Sequence, residues 1–214
     1  MSGAGEALAR LYAILDAETL ARLDLDLVVT ALTLERAGVR LFQYRDKRGD
    51  RASFVKDAMR LSATIAGSGC LLVLNDYPDR VDECGFGGVH VGQGDGDPSR
   101  AREVIGRSRV LGVSTHNEVQ MRLAAAGPAD YVAIGPVFPT GSKADAEPAI
   151  GLGGVRRARG LTTKPMVAIG GITASNARSV IEAGADSVAV IGGLFHRGVP
   201  VHDAAQKLLD VLSE

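Results

Sequence analysis

The feature that most constrains this chain is a recurrence of short apolar runs, each followed by a polar turn and a helix-forming stretch. Eight such runs can be read, at residues 11–15, 39–44, 71–75, 88–92, 110–114, 130–135, 166–171 and 187–193. They are continuous rather than alternating, as strands are in a parallel sheet covered on both faces. The intervening stretches predict helices over 24–37, 54–66, 80–84, 99–106, 117–126, 155–159, 175–183 and 203–212, with Ser99 as a candidate N-cap. ECGFGGVHVG, AAGPADYVAIG and EAGADSVAVIG echo one another as a helix-end glycine leading into a strand. Eight such units in 214 residues favour an α/β fold of the (β/α)8 TIM-barrel type, one domain over 1–214, above an open doubly wound sheet.

Composition removes several function classes. A net charge of −1 gives no basic surface for nucleic acid, and aromatics at 4% with no Trp give no stacking platform. No run approaches the ~18 apolar residues of a membrane span, and the N-terminal stretch lacks the pattern of a secretory signal. Cys70 and Cys84 have neither metal-ligand spacing nor a C-x-x-C partner, so they read as reduced thiols of a cytoplasmic protein. The oligomeric state is left open, with a homo-oligomer permitted.

In a barrel the chemistry sits at the carboxyl ends of the strands. The second strand is followed by Gln43, Arg45 and Lys47, spaced by two so that an extended segment points them one way. Asn75 and Asp76 follow the third strand, Gln93 and Asp95 the fourth, and Ser114, Thr115 and His116 the fifth. The sixth opens into a long loop with Thr140, Gly141, Ser142 and Lys143, and the last two end in Gly170-Gly171 and Gly192-Gly193. Plainer readings stand beside these: Arg45 and Lys47 as a solvated loop, Asp76 as a cap or turn former, His116 as the opener of its helix. The convergence points to a phosphate-rich ligand. Two carboxylates suit one Mg2+, and three cations beside it would neutralise a diphosphate as it leaves. The glycine pairs offer backbone N–H groups to a second, singly phosphorylated ligand. No nucleophile system stands out, so the chemistry read here is displacement of diphosphate by positioning and electrostatics.

These residues, in this order, resemble the thiamine-phosphate synthase family. The resemblance runs from LYAILD to VAVIGGLF and is most specific at QYRDK (43–47), LND (74–76), GVHVGQGD (88–95), GVSTH (112–116), GPVFPTGSK (135–143) and VAIGGI (167–172). It implies a transferase that joins 4-amino-5-hydroxymethyl-2-methylpyrimidine diphosphate to a thiazole phosphate, giving thiamine phosphate and diphosphate. It implies Asp76 and Asp95 as Mg2+ ligands, and Gln43, Arg45, Lys47, Asn75, Ser114 and Lys143 around the pyrimidine diphosphate. Arg45, Lys47, Ser114 and Lys143 would act in catalysis, while Thr140, Gly141, Ser142, Gly171, Ile191 and Gly192 would hold the thiazole phosphate. Diphosphate leaves first in the family, giving a pyrimidine-stabilised carbocation that the thiazole nitrogen captures. Two departures are Gly192-Gly193, where many members have Ser-Ala, and Gly141-Ser142, where a Thr often precedes the lysine. The alternatives are a thiazole tautomerase of the same fold and a non-catalytic phosphate-ligand barrel. Asp95, and Pro136 where the tautomerase branch carries a His, favour the synthase.

Overall fold

A computed structural model describes residues 8–48, 51–141 and 147–213. Its eight strands are β1 (Leu11–Asp16), β2 (Leu41–Arg45), β3 (Leu71–Asn75), β4 (Gly88–Val91), β5 (Val110–Thr115), β6 (Tyr131–Ile134), β7 (Met166–Ile169) and β8 (Ser187–Val190). Each pairs in parallel with the next, and β8 closes on β1, so the sheet is a complete barrel without edges. The expected fold class is therefore observed. Closure explains the unbroken apolar runs, because one face of each strand fills the interior while the other packs under helices.

The helices are α1 (Ala17–Arg22), α2 (Leu27–Arg36), α3 (Arg51–Thr64), α4 (Val81–Cys84), α5 (Pro98–Ile105), α6 (Glu118–Ala126), α7 (Gly151–Arg159), α8 (Ala177–Glu182) and α9 (Val201–Ser213). Their starts follow local capping chemistry. Asp26 accepts from the N–H groups of Val28 and Val29, both at 2.9 Å, and so begins α2. Asp97, not the expected Ser99, caps α5, accepting from Ser99 N at 2.8 Å with Pro98 in the first helical turn. Substituting such a cap by Ala costs about 1 kcal/mol.

Three differences from the sequence reading have local causes. Helix α1 has no counterpart in the sequence reading; its six residues are too few for periodicity to show, and only the cap at Asp16 marks it. Strands β7 and β8 stop before their glycines; for β7 the reason is that Gly170 and Gly171 take φ of 101° and 65°, outside strand geometry. Helix α7 starts at Gly151, four residues earlier than its composition suggests. There Gly154 lets the helix turn against Ile150, whose Cβ lies 2.5 Å from where a Cβ on residue 154 would stand.

Candidate functional site

At the carboxyl ends of β2, β3 and β4 the strands deliver a charged cluster. Lys47 Nζ lies 2.5 Å from Asp76 Oδ2 and 3.7 Å from Asp95 Oδ1. Asn75 donates from Nδ2 to the same Asp76 oxygen at 2.8 Å, and Asp95 accepts from Gly92 N at 2.9 Å. Asp76 and Tyr77 both adopt left-handed backbone, with φ of 61° and 51°. Two consecutive non-glycine residues there cost energy of order 1–3 kcal/mol each, held in place by Asp76 N donating to His90 O. The turn aims the Asp76 carboxylate back over the barrel mouth.

Burial raises the Asp76 carboxyl to about 6, and the neighbouring Asp95 adds to this against the pull of Lys47. Asp95 moves the other way: burial is outweighed by hydrogen bonding from Asp76, the Gly92 N–H and Lys47, which together lower it. The two carboxyls thus behave as one interacting pair. Such a pair, half shielded from water, favours a cation between its oxygens. Among the described residues no group of three or more His, Cys, Asp or Glu side chains could hold a metal ion. Two carboxylates with room for water and phosphate oxygens fit Mg2+, which is seldom caged by protein alone.

The structure adds what holds the cations. The Lys47 ammonium sits on the carboxylate pair itself. The extended segment after β2 carries it towards β3, where opposite charge holds it. Arg45 is held too: its Nη1 lies 2.6 Å from Asp16 Oδ1, a carboxylate with a side chain only 4% exposed. The other Asp16 oxygen accepts from Thr19 N at 3.1 Å and Thr19 Oγ1 at 2.7 Å. One residue therefore caps α1 and orients Arg45, and sequence reasoning missed it because it reads only as the polar end of β1.

Two adjoining cavities open at this rim. The first, of about 220 Å3, is lined by Gln43, Arg45, Lys47, Asn75, Asp76, Asp95 and Ser114 among others. The second, of about 480 Å3, is lined by Thr140, Gly141, Gly170, Gly171, Ile191, Gly192 and Gly193, together with His116, Pro136 and Glu147. Both include Ser114, Ile169, Ala189 and Ile191, so Ser114 stands at their junction. A glycine in such a lining offers only its backbone. At Gly171 a Cβ would lie 2.7 Å from both Phe138 Cβ and Pro139 O, so nothing larger fits there. The anchors of the rim are also visible: Gln93 Nε2 donates to Ser114 O at 2.6 Å, and His116 Nδ1 donates to Gly135 O at 2.8 Å. His116 precedes α6 while Asn117 caps it, accepting from Gln120 N at 3.0 Å.

Of the residues singled out from sequence, twelve of the site set come together on this rim; Ser142 and Lys143 lie outside the described residues. Sequence reasoning missed Asp16, Glu147 and a buried group of Tyr12, His90 and Tyr131. The last three lie inside apolar runs, where the pattern signals only core.

Comparison with known proteins agrees with this geometry. A family described as thiamine monophosphate synthase matches residues 11–194. The chain is 45% identical to the thiamine-phosphate synthase of Koribacter versatilis over 97% of its own length and 98% of that protein's. It is 43% identical to the thiamine-phosphate synthase of Geobacillus thermodenitrificans, covering 78% and 77% of the two. Among solved structures, thiamine phosphate pyrophosphorylase from Pyrococcus furiosus superposes with a TM-score of 0.83 at 29% identity, covering 95% of each chain. With its matched region running from the first strand to just past the last, the chain belongs to the thiamine monophosphate synthase family.

Proposed function

We propose that this chain acts as a thiamine-phosphate synthase, a transferase joining 4-amino-5-hydroxymethyl-2-methylpyrimidine diphosphate to thiazole phosphate. The observation that carries the reading is the pair of adjoining cavities, one charged and suited to a metal, the other lined by glycine backbone, with Ser114 between them. The charged cavity takes the pyrimidine diphosphate: Gln43 and Ser114 face the ring, and Arg45, Lys47, Asn75 and Lys143 serve the diphosphate. Thr140, Gly141, Ser142, Gly171, Ile191 and Gly192 take the thiazole phosphate, so the two reacting partners meet at the junction. Asp76 and Asp95 would hold Mg2+, which supplies charge neutralisation to the departing diphosphate.

The carbon–oxygen bond between the pyrimidine methylene and diphosphate breaks, and the electron pair leaves with diphosphate. The thiazole nitrogen lone pair then forms the new carbon–nitrogen bond, leaving thiamine phosphate with a quaternary nitrogen. Arg45, fixed by Asp16, is positioned to receive negative charge without first reorganising. Lys47, which rests on the carboxylate pair, would reach diphosphate oxygens once Asp76 and Asp95 hold Mg2+. No proton needs abstraction in the bond-forming step, so this reading asks no general base of the rim. A cytoplasmic location accords with two unpaired cysteines and with the absence, among the described residues, of any helix long and apolar enough to cross a membrane.

The test is incubation of purified protein with both substrates and Mg2+, read by mass spectrometry. Thiamine phosphate and diphosphate are expected in equal amounts. Folded protein that yields neither, yet exchanges thiazole tautomers, would place the chain with the tautomerase reading instead.

A further inference from the structure

Five polar side chains form one hydrogen-bonded line through the barrel floor beneath the charged cavity. Gln43 Nε2 donates to the Tyr12 hydroxyl at 3.0 Å, and the Tyr12 and Tyr131 hydroxyls lie 3.0 Å apart. The Tyr131 hydroxyl is 2.9 Å from His90 Nδ1, and His90 Nε2 is 2.7 Å from Ser114 Oγ. Tyr12, Tyr131, Gln43 and His90 are all at most 7% exposed. Polar groups this deep are costly unless satisfied, and apolar side chains of similar volume would fill the space at no such risk. The line therefore calls for a role beyond packing.

Its existence depends on one residue. In the strand register His90 on β4 faces Gly112 on β5, and Gly112 faces Tyr131 on β6. Strands two apart are separated by about 9.5 Å of backbone, so a side chain on β5 would stand between the two rings. Residue 112 has none. A Cβ there would lie 2.1 Å from Tyr131 Cζ, 2.3 Å from its hydroxyl oxygen and 2.5 Å from His90 Nδ1. The rings instead stack across the gap, with centroids 5.6 Å apart and planes 25° from parallel. Gly112 is a window through which the line passes.

The sense of the line follows the His90 tautomer. An amide nitrogen only donates, so the Tyr12 oxygen accepts from Gln43. With the His90 proton on Nε2, that nitrogen donates to Ser114 Oγ, and Nδ1 accepts from the Tyr131 hydroxyl, which in turn accepts from Tyr12. In that tautomer the Ser114 proton points away from the imidazole. Burial keeps both phenols well above their ordinary range, so they remain protonated donors.

We propose that Gly112, Tyr12, Tyr131 and His90 form a positioning device that sets the Ser114 hydroxyl as a hydrogen-bond donor to an acceptor atom of the pyrimidine diphosphate at the junction of the two cavities. The proposal rests on the substrate reading above. His90 and the tyrosines act through Ser114, and Gly112 acts by leaving room.

Tyr131→Phe removes one hydroxyl and keeps the ring, so it is the variant to measure, alone and combined with Ser114→Ala. Steady-state kinetics should show kcat reduced about ten-fold with KM for thiazole phosphate unchanged, and no further reduction when Ser114 is already alanine. An equal loss in both backgrounds overturns the positioning role. Long-range proton–nitrogen NMR of ligand-free wild-type protein reads the same wiring without turnover. It should show His90 with its proton on Nε2, and a mixture of tautomers in Tyr131→Phe. A proton on Nδ1, or a doubly protonated ring, in the wild type near pH 7 overturns it regardless of how the variant folds. Wild-type protein that makes no thiamine phosphate removes the synthase reading, whereas turnover with an additive cycle removes only the positioning role.

Discussion

The two cavities at the barrel mouth are built by opposite means. The one over β2, β3 and β4 is made of side chains: Lys47, Asp76 and Asp95 compensate one another, and Arg45 leans on Asp16. The one over β6, β7 and β8 brings in glycine backbone, with Gly170 and Gly171 turned into left-handed conformations that other residues rarely adopt. The first suits a ligand with several charges and a metal; the second suits a single phosphate approached by N–H groups. A site of the first kind tolerates small backbone shifts and is sensitive to loss of charge. A site of the second kind tolerates changes of charge nearby and is sensitive to any added side-chain atom.

Removing charge from the first cavity should give the largest effect. Asp95→Asn keeps the shape and the contact with Gly92 but leaves Asp76 alone with Lys47. Metal-assisted neutralisation is worth several kcal/mol, so turnover is expected to fall about a hundred-fold or more at limiting Mg2+. Thermal unfolding should be almost unmoved, since the Asp95 side chain is 31% exposed. Initial rates across a Mg2+ titration check this. Rates that match the wild type at every metal concentration would take Asp95 out of the metal site.

Adding atoms to the second cavity should give the next largest. Gly171→Ala forces a side chain onto a residue at φ 65° and places its Cβ 2.7 Å from Phe138 Cβ and Pro139 O. Left-handed strain alone costs about 1–2 kcal/mol, so KM for thiazole phosphate should rise about ten-fold. KM for the pyrimidine diphosphate should stay near the wild-type value. A rise shared equally between the two substrates would show that the cavities are not separate subsites.

The same contrast governs how much of the molecule was legible in its sequence. Eight apolar runs were enough for the barrel, because parallel strands buried on both faces have a distinctive unbroken pattern. Arg45, Lys47, Asp76 and Asp95 were legible only together, because each has a plain structural reading alone and it is their convergence at neighbouring strand ends that points to a ligand. Their pairing was not, since spacing says nothing about whether Lys47 turns towards the carboxylates or away from them. Asp16 was hidden by a helix too short to carry a period. Tyr12, His90 and Tyr131 were hidden by their place within strands, where a hydroxyl or imidazole is indistinguishable from core until its partner on another strand is known. Gly112 was the least legible, because its role is the absence of a side chain between two residues that sequence keeps 41 positions apart.

The smallest effect tests whether the charged cavity depends on its supporting loop. Just past β2, Asp46 accepts from Arg48 N and Nε, both at 2.9 Å, and from Nη2 at 2.6 Å. Burial would raise the Asp46 carboxyl, but the hydrogen bonds from Arg48 outweigh it and hold the carboxyl below its ordinary value. A carboxyl depressed in the folded state contributes stability above its unfolded value, about pH 4, and loses it as pH falls through the folded value. Arg48 is 46% exposed, so the pair contributes about 0.5 kcal/mol after screening. Arg48→Gln should therefore lower Tm by about 1–2 °C at neutral pH, with the difference shrinking below about pH 4 as Asp46 protonates in both proteins. Turnover should change by less than about two-fold, because Arg48 points to Asp46 and not into either cavity. A larger loss of turnover, with KM raised for the pyrimidine diphosphate alone, would show that the Asp46 clamp sets the reach of Lys47 and belongs to the charged cavity after all.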